Sequence, residues 1–257
     1  MDLKESGRLK DLRLVLKEAA PCAVLFSGGF DSEVLLRFAC RVLNQERVLP
    51  VTAVSPLLAG YYTERIAEVI RELGLSPETV RLDVMDRADF RSGGALRCYI
   101  CKKTMYGMVK KLSLEKGFSG VIDGTTTDDL GEDRPGLRAA SEEGIIHPFV
   151  EAGMGNREVE ILGESFGLRK SDLPSDSCLA TRITGSVPIT RELLKQVEEM
   201  ESDLRPRASG RVRIRLERGS FIVEYTQKDR KMILGSLEDL RRKAKLFERD
   251  LILDGPE

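Results

Sequence analysis

The run Cys22-Ala23-Val24-Leu25-Phe26 breaks without a linker into Ser27-Gly28-Gly29-Phe30-Asp31-Ser32, and apolar residues then recur at helical spacing from Glu33 to Val42. A short, wholly apolar run bounded by glycines reads as a buried strand, so the loop is a strand-to-helix turn. In open α/β sheets, ligands bind at such turns, outside the carboxyl ends of the strands. The paired glycines let the backbone curl until successive N–H groups point inward, and the positive end of the helix dipole adds to them. A turn of this kind holds a phosphate. Ser27 and Ser32 offer hydroxyl donors, whereas Asp31 is unsuited to touch phosphate and is expected to order the loop or hold Mg²⁺. No lysine follows the second glycine and the spacing is short, which excludes a Walker A loop. The plain alternative, a glycine turn without a ligand, is disfavoured by the strand-to-helix placement.

The rest of the first half repeats the same order. A charged helix with Leu9, Leu12 and Leu16 ends at Pro21. Val48 to Val54 and Val80 to Val84 read as strands, Tyr62 to Leu73 and Lys103 to Lys116 as helices, and Gly120 to Asp123 as a strand ending at Gly124. Alternation of this kind predicts an α/β fold, a mostly parallel sheet sandwiched by helices. One further helix is expected from Glu158 to Phe166. After Pro188 the pattern changes: Arg191 to Leu204 is a charged amphipathic helix. Arg211 to Leu216 and Ser220 to Tyr225 alternate as a hairpin around Glu217-Arg218-Gly219, and Leu237 to Phe247 is a last helix. We therefore expect residues 1–175 to form the nucleotide-binding domain and 176–257 a smaller α+β domain. The basic cluster from Arg241 to Lys245 reads as a solvated helix face.

Arg97-Cys98-Tyr99-Ile100-Cys101-Lys102 sets two thiols at metal-ligand spacing just before a predicted helix, whose first N–H groups favour thiolates. The pair alone fits a redox dithiol, half a zinc site or two legs of an iron–sulfur cluster. A third thiol, Cys178, stands in Ser175-Asp176-Ser177-Cys178-Leu179-Ala180-Thr181-Arg182 at the predicted domain junction. Three thiols would leave one iron open. Cys22 and Cys40 fall on apolar faces and read as core packing. His147 could be a fourth metal ligand, but a lone histidine reads first as satisfied near the core. Arg182 and Arg134 are candidates to neutralise a phosphate, with surface or ion-pair arginines as the alternative. Gly124, Thr125 and Asp128 follow a strand and should lie beside the first loop, with Asp128 able to help hold Mg²⁺; for Asp128 and Asp129 helix capping is the alternative.

The loop resembles the Ser-Gly-Gly-x-Asp-Ser signature of the PP-loop ATP pyrophosphatases, with Phe30 at its variable place. Over nearly the whole chain the sequence is similar to the LarE family of PP-loop sulfur transferases. That resemblance rests on Ser27 to Ser32, Arg97-Cys98-Tyr99-x-Cys101-Lys102, Asp123-Gly124-Thr125-x-x-Asp128-Asp129, Arg134-Pro135-Gly136 and Ser177 to Arg182. It implies that ATP is cleaved between the α and β phosphates to adenylate a pyridinium mononucleotide carboxylate, which sulfur then converts to a thiocarboxylate of the nickel-pincer nucleotide cofactor. Some members carry only the cysteine matching Cys178 and give up its sulfur. Members with all three cysteines hold a four-iron four-sulfur cluster, and Cys98, Cys101 and Cys178 place this chain with them. The resemblance further implies Mg²⁺-ATP at Ser27, Gly28, Gly29, Asp31, Ser32, Gly124, Thr125, Asp128 and Arg134. Cys178, Asp31 and Arg182 are implied in the chemistry, and a homo-oligomer is implied as the assembly. The reading needs the three thiols to converge beside the phosphate loop.

Composition narrows the alternatives. With 41 basic against 42 acidic side chains the chain carries no global field, so bulk charge argues for neither DNA nor membrane binding. No apolar run approaches the roughly 20 residues of a membrane span, the charged N-terminus is no signal peptide, and five cysteines without an export signal fit a reducing, cytoplasmic setting. A tRNA thiolase would use the same activation, but the arginines from Arg205 to Arg218 are interleaved with acids and lack stacking aromatics. A zinc-stabilised nucleotide-binding regulator, closed by His147, is the non-enzymatic alternative.

Overall fold

In the computed structural model, residues 7–92, 94–131, 135–170, 178–184 and 187–256 are described. Arg134, the stretch 171–177 and the expected boundary at 175/176 lie outside them. The chain forms two compact units: one of residues 1–55, 62–84 and 95–173, the other of 56–61, 85–94 and 174–257.

The first unit opens with α1 (Gly7–Ala19), β1 (Cys22–Leu25), α2 (Phe30–Leu43), β2 (Val48–Val54), α3 (Gly60–Leu73) and β3 (Glu78–Arg81). The short α4 (Ala88–Arg91) belongs to the second unit. The first then continues with α5 (Arg97–Glu115), β4 (Gly120–Ile122), α6 (Pro135–Glu143), α7 (Pro148–Glu151) and α8 (Asn156–Glu164). All four strands are parallel, in the order β3-β2-β1-β4. Every residue of β1 is buried, as a central strand covered on both sides requires. On one face, Ala23, Leu25, Leu49, Val51, Val80 and Val121 pack with Tyr106 and Val109 of α5 and Ala139 and Ala140 of α6. Strand alternation turns Cys22 and Val24 to the other face, where α2 packs on β1 and β2.

Two boundaries differ from those expected. The helix after the glycine-rich stretch starts at Arg97 rather than Lys103, so Cys98 and Cys101 lie inside its first turns instead of before it. The third strand is Glu78–Arg81, since it pairs with β2 as Val51↔Glu78 through Val54↔Arg81. Helix α6 covers a segment for which no element is expected from the sequence; proline at its first position suits a helix start.

The second unit carries a sheet ordered β5-β6-β7, built from β5 (Arg213–Glu217), β6 (Ser220–Glu224) and β7 (Leu251–Asp254). The β5–β6 hairpin turns through Arg218 (φ 49°) and Gly219 (φ 88°), both left-handed, the geometry that matches strand twist in a two-residue loop. Ile214, Leu216, Phe221 and Val223 face inward with Leu194, Val197 and Met200 of α9 (Arg191–Ser202). Helices α10 (Arg230–Gly235) and α11 (Leu237–Leu246) carry the chain to β7, which pairs parallel to β6.

Candidate functional site

β1 sits between β2, reached by one connection, and β4, reached much later, so the chain reverses its winding direction at β1. Val24 pairs with Ile122, and the loops after β1 and β4 therefore leave the sheet at one level. Ligands of open α/β sheets bind in the crevice that such a reversal opens.

The first loop is closed by its own serines. Ser32 Oγ donates to the Gly29 carbonyl (2.9 Å) and lies 3.2 Å from Ser27 Oγ and 3.4 Å from Ser27 N. Gly28 has φ 77°, and a side chain there would meet Tyr62 O at 3.2 Å and Ile66 Cγ1 at 3.1 Å, so both backbone conformation and space require glycine. Helix α2 follows its N-cap Gly29, and among the described residues no side chain caps it, which leaves its first-turn N–H groups without that partner. Behind the loop, fully buried Glu33 accepts from Arg37 Nε (3.0 Å) and from Arg65 Nη2 (2.8 Å), tying α2 to the α3 residues that back Gly28.

The second loop abuts the first. A Cβ on Gly124 would lie 2.9 Å from both Asp31 C and Ser32 N, a backbone approach that glycine alone permits. Asp31 Oδ1 is buried and has no hydrogen-bond partner among the described residues. Burial raises this carboxyl above its ordinary range; the Lys170 ammonium pulls against that and the Asp129 carboxylate adds to it. A buried carboxylate oxygen without a partner suits a cation ligand.

Asp129 and Asp128 serve as caps. Asp129 Oδ2 accepts from Thr126 N (3.0 Å) and Thr126 Oγ1 (3.1 Å), and Asp128 Oδ2 accepts from Asn156 N at the start of α8. Both thus make capping contacts, the alternative weighed for them. Thr125 N donates to Asp123 Oδ1 (3.1 Å).

Asp123 also anchors a buried polar chain. His147 Nδ1–H donates to its Oδ1 (2.7 Å), Tyr106 OH donates to its Oδ2 (2.8 Å), and Lys102 Nζ donates to Tyr106 OH (3.1 Å). His147 is in reach because Ile146 bridges β4 like a one-residue strand. Burial pushes the Asp123 carboxyl up, but the His147 hydrogen bond and the nearby Lys102 charge together outweigh it and hold it well below the usual carboxylate range. Burial, then the Asp123 charge, pushes the Tyr106 phenol far up, so it stays a donor. His147 is thus satisfied near the core. The chain joins β4 to the turn of α5 that bears Cys101; nothing local in the sequence connects Tyr106 or His147 to Asp123, and only the parallel sheet brings them together.

Cys98 is exposed and Cys101 half-buried on α5, three residues apart and so on one helix face. Cys178, also exposed, belongs to the second unit, at the head of the 3-10 turn Leu179–Arg182. Within either unit, no three described His, Cys, Asp or Glu side chains are grouped to hold a metal ion. Burial pushes the Cys22 thiol to about 12 and the Cys40 thiol to about 11, which suits their reading as core residues.

Arg182 takes the ion-pair role weighed for it. It is 1 % exposed, its Nε donates to Glu201 Oε1 (2.8 Å), and its Nη1 donates to Thr181 Oγ1 (3.1 Å). Thr181 Oγ1 in turn donates to the Cys178 carbonyl (2.8 Å). The side chain therefore braces the turn that bears Cys178 from beneath. Arg134 lies outside the described residues. Among the described residues, no helix is long and apolar enough to cross a membrane.

No family profile matches the sequence. It is 33 % identical over 218 residues to an uncharacterised protein of Synechocystis, covering 85 % of this chain and 81 % of the relative. A Methanocaldococcus jannaschii protein, also uncharacterised, is 27 % identical over 222 residues, 86 % of this chain and 84 % of its own. The pyridinium-3,5-bisthiocarboxylic acid mononucleotide synthase of Lactiplantibacillus plantarum is 28 % identical over 212 residues, covering 82 % of this chain and 77 % of that enzyme. Each of these likenesses covers more than four-fifths of the chain and so reaches into both units.

Proposed function

We propose that this protein is an ATP-dependent sulfur transferase that adenylates a carboxylate of a pyridinium mononucleotide and replaces carboxylate oxygen with sulfur, in nickel-pincer nucleotide biosynthesis. The observation that carries the reading is the meeting of the two loops, where Gly124 lies against Asp31 and Ser32 and Asp31 Oδ1 is buried without a partner among the described residues. The name of the Lactiplantibacillus relative supports the substrate class.

In this reading, the N–H groups at the start of α2 and the hydroxyls of Ser27 and Ser32 would hold the phosphates. Asp31 would hold Mg²⁺ through the oxygen that has no partner among the described residues, and Asp128, whose Oδ2 accepts from Asn156 N, would assist through its other oxygen. A substrate carboxylate oxygen attacks the α-phosphorus, the bond to the bridging α–β oxygen breaks, and pyrophosphate leaves. The acyl-adenylate is a carbonyl with a good leaving group; sulfur joins the carbonyl carbon as AMP departs with the original carboxylate oxygen. Cys98, Cys101 and Cys178 would hold a four-iron four-sulfur cluster, which supplies a soft sulfur donor when bound. The exposed Cys98 and half-buried Cys101 on one face at the start of α5, together with the exposed Cys178, fit thiolate ligands. Glu201, Arg182 and Thr181 fix the backbone that carries Cys178.

The test is mass spectrometry of a reaction containing ATP, the dicarboxylated pyridinium mononucleotide and sulfide, with pyrophosphate followed in parallel. Oxygen-to-sulfur exchange in the mononucleotide is expected. Asp31→Ala should abolish pyrophosphate release, and Cys178→Ala should still release pyrophosphate but transfer no sulfur. Full sulfur transfer by Cys178→Ala would remove that thiol from the mechanism.

A further inference from the structure

A bound triphosphate brings several negative charges to a loop that contains no basic residue from Ser27 to Ser32. The helix terminus offers only about half a positive charge, so a side-chain cation beside the loop would complete the charge balance. Most nearby cations are committed. Arg37 and Arg65 are clamped on Glu33, with Arg37 also on Glu72. Lys102 donates to Tyr106.

Lys170 differs. Among the described residues it makes no hydrogen bond and no ion pair; its ammonium stands 5.9 Å from the Phe30 ring centroid, at the loop itself. The packing of α8 brings it there. Gly163 sits so close to α2 that a Cβ would lie 2.4 Å from Phe30 Cζ and 3.1 Å from Val34 Cγ2, and Leu168 N closes the helix on the Gly163 carbonyl (3.0 Å). The chain from Gly163 to Lys170 is thereby folded back over the first turn of α2, beside Asp31. Among the described residues this half-buried lysine lies near Asp31 and attracts its charge without pairing with it, so its ammonium donors remain for another acceptor. Opposite a phosphate it would complete the site.

We propose that Lys170 is a catalytic residue that binds the β- and γ-phosphates of ATP, the cationic role that other phosphate loops give to a lysine of their own. This rests on the ATP reading above. Lys170 holds the pyrophosphate moiety as it departs while Asp31 serves the cation, so the two opposite charges divide the leaving group between them. Phe30, at the variable place of the loop, sets the ammonium's position with its ring.

Calorimetric titration of the full chain with Mg²⁺ and α,β-methylene-ATP, and separately with AMP, tests this. Lys170→Met should weaken the triphosphate analogue about 10- to 100-fold, as expected for one charge-assisted hydrogen bond. It should leave AMP within about twofold, a factor worth well under the 1.4 kcal/mol of a tenfold change. Lys170→Arg should recover most of the loss, and pyrophosphate release should follow the same order. Equal affinities in wild type and Lys170→Met, or equal losses for AMP and the triphosphate, overturn the assignment. A wild-type chain that binds neither nucleotide overturns the ATP reading itself, an outcome distinct from either.

Discussion

Glu201→Ala should unfold the second unit far more readily than any surface substitution. Glu201 is 1 % exposed, and its Oε1 accepts from Arg182 Nε (2.8 Å) and from Ile214 N (2.8 Å) while its Oε2 accepts from Arg205 Nε (3.1 Å). One carboxylate thus serves two buried guanidiniums and a strand N–H. Truncation removes the carboxylate that the two guanidiniums share, a change worth about 3–5 kcal/mol, and strands a buried backbone donor at about 1–3 kcal/mol. These costs are not additive, since the arginines relax together, and about 4 kcal/mol is a fair total. At about 2–4 °C per kcal/mol for a chain of this size, thermal unfolding followed by far-UV circular dichroism should fall by about 8–16 °C. Glu201→Gln keeps one acceptor and should fall by less. A Glu201→Ala protein that melts within about 2 °C of wild type would refute the argument that this carboxylate organises the unit.

Gly124→Ala forces a methyl group against the backbone of Asp31 and Ser32 at 2.9 Å; the loop must move by roughly half an ångström, and pyrophosphate release should fall at least about tenfold with little change in unfolding temperature. Gly107→Ala, by contrast, places a methyl in open space on α5 and should stabilise by about 0.5–1 kcal/mol in urea titration, with pyrophosphate release unchanged. Asp123 is held below its ordinary range in the folded state, so the unfolded chain takes up its proton first as pH falls. Its contribution is complete above about pH 4 and is lost below that value as pH approaches the folded pKa. Acid titration of unfolding should therefore show a shallower decline for Asp123→Asn than for wild type, and parallel curves would refute the Asp123 network as the cause.

Much of this architecture is written locally. The wholly apolar β1, the paired glycines and the helical repeat after them specify a strand, a turn and a helix through steric freedom and burial alone, and β1 and α2 appear where those patterns stand. The alternating hairpin of β5 and β6 and the amphipathic α9 are legible for the same reason. Boundaries were less so: Arg97-Cys98-Tyr99-Ile100-Cys101-Lys102 has weak helical periodicity, and packing of α5 against α6, not local pattern, extends the helix across it. The tail strand β7 alternates only over four residues and exists because β6 offers it a parallel edge.

Local pattern specifies which segments are strands and helices around the phosphate loop, because period, glycine and proline act over a few residues. Tertiary structure alone decided the strand order that sets β4 beside β1, and with it the contact between Gly124 and Asp31. It also turned Asp128 into a cap and Arg182 into a buried brace, gathered Lys102, Tyr106, Asp123 and His147 into one polar chain, and joined residues 56–61 and 85–94 to the second unit. Each of these depends on partners far apart along the chain, where the energy of a contact leaves no periodic trace and a charged residue reads alike whether it meets solvent, a helix end or another charge.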